Sequence, residues 1–448
     1  MNILIVVVDS LRADHLSCYG YQRDTSPHLE ALAAQGMVFE NMFTPAIPTQ
    51  PSFASFYTGQ HPLTHGIVSH GGQAVLSPDR PWLTEQLQQA GFVTAAVDNL
   101  YSLRHWYARG YEFYIDPTHR PGRRPSASGE NLNQRALPWL RAHAREQFFL
   151  LVHYWDTHTA YRPPARLRHR YYPGDPTEER FTSLQAMPSA PLGDVWSEQW
   201  LGPLSRRLFS GRPIRDAEYV VALYDACIRY VDEQIGALLS ALEDSGAADD
   251  TLVIIMADHG EMLYRHGIFF DHHGLYDPNL RLPFIVRWPG RTPAGARCPG
   301  QVHSIDLAPT LLAIARAPIP EAMEGTSFLP ALLGEPGWQP RDRLIAEECT
   351  WQAKWCLRRD GRKLILARAP DLYGRPAREL YDLQADPGEL HNLAAEQPQI
   401  AAAMEEELEA WIAARLAALG LDTDPLLAQG ITLGQAWQEE QERKGTRP

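Results

Sequence analysis

Apolar runs alternate with stretches of helical rhythm along most of the chain, and the alternation predicts an α/β fold. Asn2 to Val8 is continuously apolar and β-branched, and it closes on Asp9. A run of this kind, with no polar alternation, suits a central parallel strand buried on both faces. Phe92 to Val97, Phe148 to Tyr154, Thr251 to Ala257 and Leu282 to Trp288 read as further strands. Between them, Ser26-Pro27 opens a helix that runs to Gln35 and stops at Gly36, and Asp216 to Leu242 carries a helical apolar rhythm. Strands that alternate with helices and end in polar residues imply a mostly parallel sheet covered on both faces, with chemistry at its carboxyl edge.

The pattern changes after about residue 340. Leu344 to Glu347, Trp351 to Leu357 and Lys363 to Leu366 predict short strands, with Asp360-Gly361 as a hairpin turn, and Ala395 to Leu419 predicts a terminal helix. The expected organisation is a catalytic α/β domain over 1–340, a small antiparallel sheet plus helix over 341–422, and a polar tail or arm over 423–448. Residues 162–215 are rich in Pro, Arg and Trp and poor in periodicity, and predict an insertion acting as a lid or substrate loop.

Thr49 draws attention because prolines bracket it in Pro48-Thr49-Gln50-Pro51-Ser52-Phe53. Pro51 suits the first turn of a short helix through Phe53 to Tyr57, which sets the Thr49 hydroxyl beside a helix N-terminus that favours an anion. A capping threonine would look the same in isolation. Asp9 and Asp258-His259 end different strands that this architecture brings to one edge. Two carboxylates, an imidazole and a hydroxyl can hold one divalent cation. That donor mix favours Mn or Zn, with Ca or Mg as weaker alternatives.

Composition narrows the partners. The 448 residues carry a formal net charge of −13 and no polybasic run, which excludes a nucleic-acid polymer as ligand. The lysines are Lys354, Lys363 and Lys444, so a cation meeting substrate in the first 353 residues must be Arg, His or a metal. Five cysteines without CxxC spacing argue against a disulfide framework or a structural zinc site. No run approaches the roughly 20 apolar residues of a membrane span, and no basic leader precedes Asn2, so a cytoplasmic enzyme without a membrane partner is expected. Self-association into a homo-oligomer is left open.

From Ile3 to about Trp411 the chain resembles the sulfatase branch of the alkaline phosphatase superfamily. The resemblance rests on Asp9-Ser10-Leu11-Arg12 with Asp14, Pro51-Ser52 with Thr58-Gly59, and Asp156-Thr157-His158 with Tyr161. It continues in Asp258-His259-Gly260-Glu261, Leu275-Tyr276-Asp277, Asp306 with Pro309-Thr310, and Glu379-Leu380-Tyr381-Asp382. It implies an alkaline phosphatase-like mixed sheet sandwiched by helices, a smaller C-terminal α+β domain, and a metal site formed by Asp9, Thr49, Asp258 and His259. The departures are as informative. Sulfatases carry a Cys or Ser that becomes formylglycine, followed by Pro-Ser-Arg, whereas Thr49 and Phe53 occupy those positions here. The paired aspartates after the first strand are Asp9-Ser10, and the lysines expected near a sulfate are missing.

Threonine nucleophiles are similar to those of the superfamily's phosphodiesterases and phosphoethanolamine transferases, and the ligand set Asp9, Thr49, Asp258 and His259 is similar to the metal site of its phosphonate monoester and phosphodiester hydrolases. The resulting expectation is a metal-dependent hydrolase of phosphodiesters or phosphonate monoesters, without formylglycine, through a covalent intermediate on Thr49. A sulfatase that dispenses with formylglycine, a phosphotransferase and a catalytically silent relative are the alternatives. The partner in each active case is a small-molecule phosphate, phosphonate or sulfate ester. By the resemblance, His158 and His273 face the substrate and its leaving group, and His272 is the solvated member of its pair. Asp156 is expected to fix the His158 tautomer, and Tyr161 to wall the pocket.

Overall fold

The computed structural model describes residues 1–118, 127–370 and 372–443. Its strands in chain order are β1 (Asn2–Val8), β2 (Met37–Phe43), β3 (Ala46–Ile47), β4 (Val93–Val97), β5 (Phe113–Ile115), β6 (Phe148–Tyr154) and β7 (Thr251–Met256). They continue with β8 (Arg281–Arg287), β9 (Ala296–His303), β10 (Arg343–Glu348), β11 (Lys354–Arg359), β12 (Arg362–Ala367) and β13 (Arg378–Asp382). The large sheet runs β5-β4-β6-β1-β7-β8-β2-β9. Only β8 opposes its neighbours, pairing antiparallel with both β7 and β2, so the sheet is mixed. Five expected strands of this sheet form within a residue or so of their expected limits. The strands absent from the sequence reading, β2, β5 and β9, are half-exposed or interrupted by polar residues and register shifts.

β1 lies between β6 and β7, parallel to both, and every one of its residues is buried. That apolar run makes it the sheet's centre, where no backbone edge or face meets water. The registers Val8↔Tyr154 and Val7↔Met256 bring the carboxyl ends of the three strands level, so Asp9 and Asp258 emerge side by side. The helices that matter to the site are α1 (Thr49–Thr58), α2 (Gly129–His143) and α3 (Ala217–Asp244), the last capped by the Asp216 side chain accepting from Glu218 N.

The second sheet runs β13-β12-β11-β10-β3. The hairpin between β11 and β12 turns at Asp360 and Gly361, both at positive φ, as the sequence predicts. Strand β11 begins at Lys354 rather than Trp351, because Trp351 packs against His273 at the cleft. One face of the sheet is covered by α4 (Pro398–Leu419), through Ala401, Leu408 and Ile412. The opposite face packs Ile47, Tyr276 and Leu280 of the large unit against Leu344, Cys356 and Ile365. β3 joins this sheet parallel to β10. The chain just before Thr49 is therefore a strand of the small sheet.

Of the expected tail, residues 424–443 are described and they pack onto the body of the molecule, while 444–448 lie outside the described residues. Leu426 is fully buried, and α5 (Thr432–Arg443) docks through Leu433 and Gly434 N–H groups donating to the Thr350 carbonyl. Among the described residues no helix is long and apolar enough to cross a membrane.

Candidate active site

Thr49 is the first residue of α1, and it is buried with its oxygen turned toward the strand ends. The helix start is anchored from below, because Ser52 Oγ donates to the Asp258 carbonyl at 2.6 Å. Thr49 Oγ1 lies 3.2 Å from His259 Nε2. The other ring nitrogen, Nδ1, donates to the Gly260 carbonyl at 2.9 Å, which leaves the Nε2 lone pair facing Thr49 and the carboxylates. His259 Nε2 is 3.4 Å from Asp258 Oδ2 and 4.0 Å from Asp9 Oδ1.

Each carboxylate has one satisfied oxygen. Asp9 Oδ1 accepts from Ser10 Oγ at 2.6 Å, and Asp258 Oδ1 accepts from the His259 and Ser10 backbone N–H groups. Asp9 Oδ2 and Asp258 Oδ2 are buried without a hydrogen-bond partner. Burial and the adjacent Asp9 charge push the Asp258 carboxyl above its ordinary range. Burial alone would also raise Asp9, but the imidazoles of His158, His153 and His259 outweigh it and hold Asp9 below that range. Two acids of opposite tendency around one space is what like charges do when no cation separates them. One ligand atom each from Asp9, Asp258 and His259 falls within 4.8 Å of the others, so these residues fit a divalent cation.

His153, which the sequence reading passed over, closes the back of this cluster. Its Nδ1 is 2.9 Å from Asp98 Oδ1 and its Nε2 is 3.6 Å from Asp9 Oδ2. Burial opposes the charge, but the two carboxylates win and raise His153 to about 10. Its ring packs at a tilt against Phe53, with centroids 4.9 Å apart. A histidine inside the otherwise apolar run Phe148 to Tyr154 was the available signal.

In front of Thr49 opens a cleft of about 650 Å³. His158 and His272 both line it, with ring centroids 4.7 Å apart, and His272 is a further 4.7 Å from His259. The expectation for the histidine pair is reversed. His272 faces the cleft, whereas His273 turns away, with Nε2 2.9 Å from Asp271 and its ring against Trp351. Burial and the surrounding imidazoles hold His272 well below its usual range, so it is neutral at pH 7.

Asp156 also lines the cleft but does not hold His158, whose Nδ1 bonds the Thr159 carbonyl at 2.7 Å. Asp156 instead faces the start of α2 at Gly129, and burial raises its carboxyl to about 7. Tyr161 is core rather than wall, packed edge-on against Trp200 and Tyr224. The aromatic wall comes from Trp155, Trp196, Trp200 and Trp351, two of them from the 162–215 segment, and Leu433 of α5 completes the rim. His61 and His65 are structural. His61 Nε2 is held by the Ile345 carbonyl and His65 Nε2 by Ser55 Oγ.

The Sulfatase profile matches residues 1–317, and that of the N-sulphoglucosamine sulphohydrolase C-terminal region matches 265–414. The chain belongs to the Sulfatase family. Among curated relatives, an N-acetylglucosamine-6-O-sulfatase of Bacteroides thetaiotaomicron is 24% identical over 468 residues, spanning 88% of this chain and 82% of its own. The human iduronate 2-sulfatase is 25% identical over 456 residues, spanning 89% and 81%. Among solved structures, the phosphonate monoester hydrolase of Agrobacterium radiobacter superposes with a TM-score of 0.73 at 21% identity, covering 93% of this chain and 96% of its own. The fold is thus that of a sulfatase-type, alkaline phosphatase-like hydrolase, and the Asp/His cluster is a possible site for the divalent metal on which the family generally depends.

Proposed function

We propose that this sulfatase-family protein hydrolyses a phosphodiester or phosphonate monoester, with the unmodified Thr49 as nucleophile and Asp9, Asp258 and His259 as metal ligands. The carrying observation is the Thr49 hydroxyl lying 3.2 Å from the Nε2 of an imidazole set beside two unneutralised carboxylates. A divalent cation held there favours ionisation of an adjacent hydroxyl and offsets the charge of the oxyanion under attack. Thr49 Oγ1, its proton released to solvent in the cleft, attacks phosphorus in line, and the Oγ1–P bond forms as the bond to the leaving oxygen breaks. His158, at the cleft wall, donates the proton to that oxygen. His272, neutral and facing the same space, orients the oxyanion through its ring N–H. Water then hydrolyses the phosphothreonine and restores the hydroxyl.

The second reading is sulfate-ester hydrolysis at the same Thr49, favoured by the sulfatases among the relatives. The discriminating experiment uses metal-defined protein and matched aryl phosphodiester, phosphonate, phosphate and sulfate esters. Highest kcat/KM on the phosphodiester or phosphonate supports the first reading. Highest kcat/KM on the sulfate transfers the mechanism to sulfur, and no turnover of any ester overturns both.

A further inference from the structure

Beside the cleft lies a second cavity of about 420 Å³, lined by Arg162, Arg168 and Arg207 over Tyr161, Trp200 and Leu204. It adjoins the cleft, since Arg162, Gln199 and Trp200 line both.

Arg166 pairs with Glu233, Arg170 with Asp24, Arg180 with Glu178 and Arg212 with Asp175. Among the described residues Arg162, Arg168 and Arg207 pair with no carboxylate, nor do Arg206 and Arg215 of the same segment, and what sets the three apart is that they line one cavity together. Guanidinium groups gathered without counter-charge repel one another, and their planar forks match a carboxylate, phosphate or sulfate. Trp200 lines both the cavity and the cleft and sets an aromatic side chain between the arginines and Thr49.

We propose that this cavity is a subsite for a second acidic group on the substrate, carried by the alcohol half of the ester that is cleaved at Thr49. The substrate class is then a dianionic ester whose two charges are separated by an apolar or ring scaffold lying on Trp200. The inference rests on the cleft being the place of ester cleavage.

The test compares aryl esters with a neutral leaving group against a series bearing a carboxylate at increasing distance from the reactive ester. The wild-type protein is expected to show a lower KM for one carboxylated member. The double variant Arg168→Gln/Arg207→Gln is expected to raise that KM about tenfold while leaving kcat/KM on the neutral ester unchanged. Arg168→Lys should retain part of the preference. Absence of preference for every carboxylated member, or equal losses on charged and neutral esters, overturns the subsite. Calorimetric titration of Thr49→Ala protein with the preferred ester separates this from failure of the catalytic reading. Binding that disappears in the double variant supports the subsite even if no ester is turned over, and binding that persists overturns it. Inorganic sulfate alone binding as tightly as the ester would mark a free-anion site instead and overturn the proposal.

Discussion

Two clusters of buried charge lie within one fold, and they differ in how far the chain neutralises them. Beneath the small sheet, Lys363 Nζ sits 2.5 Å from Asp277 and 2.6 Å from Glu389, and Lys354 meets Glu379 at 3.0 Å while Tyr276 and Tyr381 donate to the same carboxylate. At the ends of β1 and β7, by contrast, Asp9 and Asp258 each keep a buried oxygen without a partner, and no lysine occurs in the first 353 residues. His153 supports Asp9 from behind but leaves Asp258 and the space in front of Thr49 unneutralised. A charge cluster that only joins two units is closed by the chain itself. One that leaves its acids facing an imidazole and a hydroxyl is shaped for a cation from outside.

The largest expected effect lies on the reactive side of this comparison. Thr49→Ala should lower kcat by at least about 10³-fold with an unchanged thermal midpoint, measured on the best ester of the panel. Residual turnover near wild type would remove Thr49 from the reaction. On the structural side, Lys363→Met should cost about 3–5 kcal/mol in denaturant unfolding, because it strands Asp277 and Glu389, and it should do so equally with and without metal. If the loss appeared only in metal-loaded protein, the contrast between the clusters would collapse.

Asp258→Asn sharpens the comparison by reversing sign. Without metal it should stabilise by about 1 kcal/mol, since burial and Asp9 already raise that carboxyl. With Mn or Zn it should be less stable than wild type, and metal affinity by calorimetry should fall at least about tenfold.

The smallest effect is at Asp156. Its folded-state pKa, about 7, lies above the unfolded value of 3.8, so the stability it contributes in acid is lost as pH rises through 7. Asp156→Asn should therefore be nearly neutral at about pH 4 and gain a few degrees in midpoint by about pH 8. A gain that is flat across pH would assign Asp156 another partner.

Much of this was legible in residue order, for identifiable reasons. Asp9 and Asp258 could be placed because each ends a fully apolar strand, and strand ends of a parallel sheet converge without knowledge of side chains. His272 and His273 could not be told apart, since they occupy an irregular loop with no period of 2 or 3.6 to assign faces. His153 went unread because a strand buried on both faces gives no alternation against which a polar residue stands out. Tyr161 and Asp156 belong to a matched motif, but their places depend on Trp200, Tyr224 and the start of α2, all remote in sequence. The tail reads as polar because its docking rests on a few scattered residues, among them Pro425, Leu426 and Ile431, and on Asp424 accepting from Trp355 and Arg368.

The parallel pairing of Ala46 and Ile47 with Glu347 and Glu348 has a mechanical meaning. It fastens the stretch ahead of Thr49 to one sheet, while Ser52 rivets the following turn to the other at Asp258. Swinging the two sheets apart would carry the Thr49 hydroxyl away from His259, so the mutual placement of the two sheets sets the geometry of this corner of the cleft.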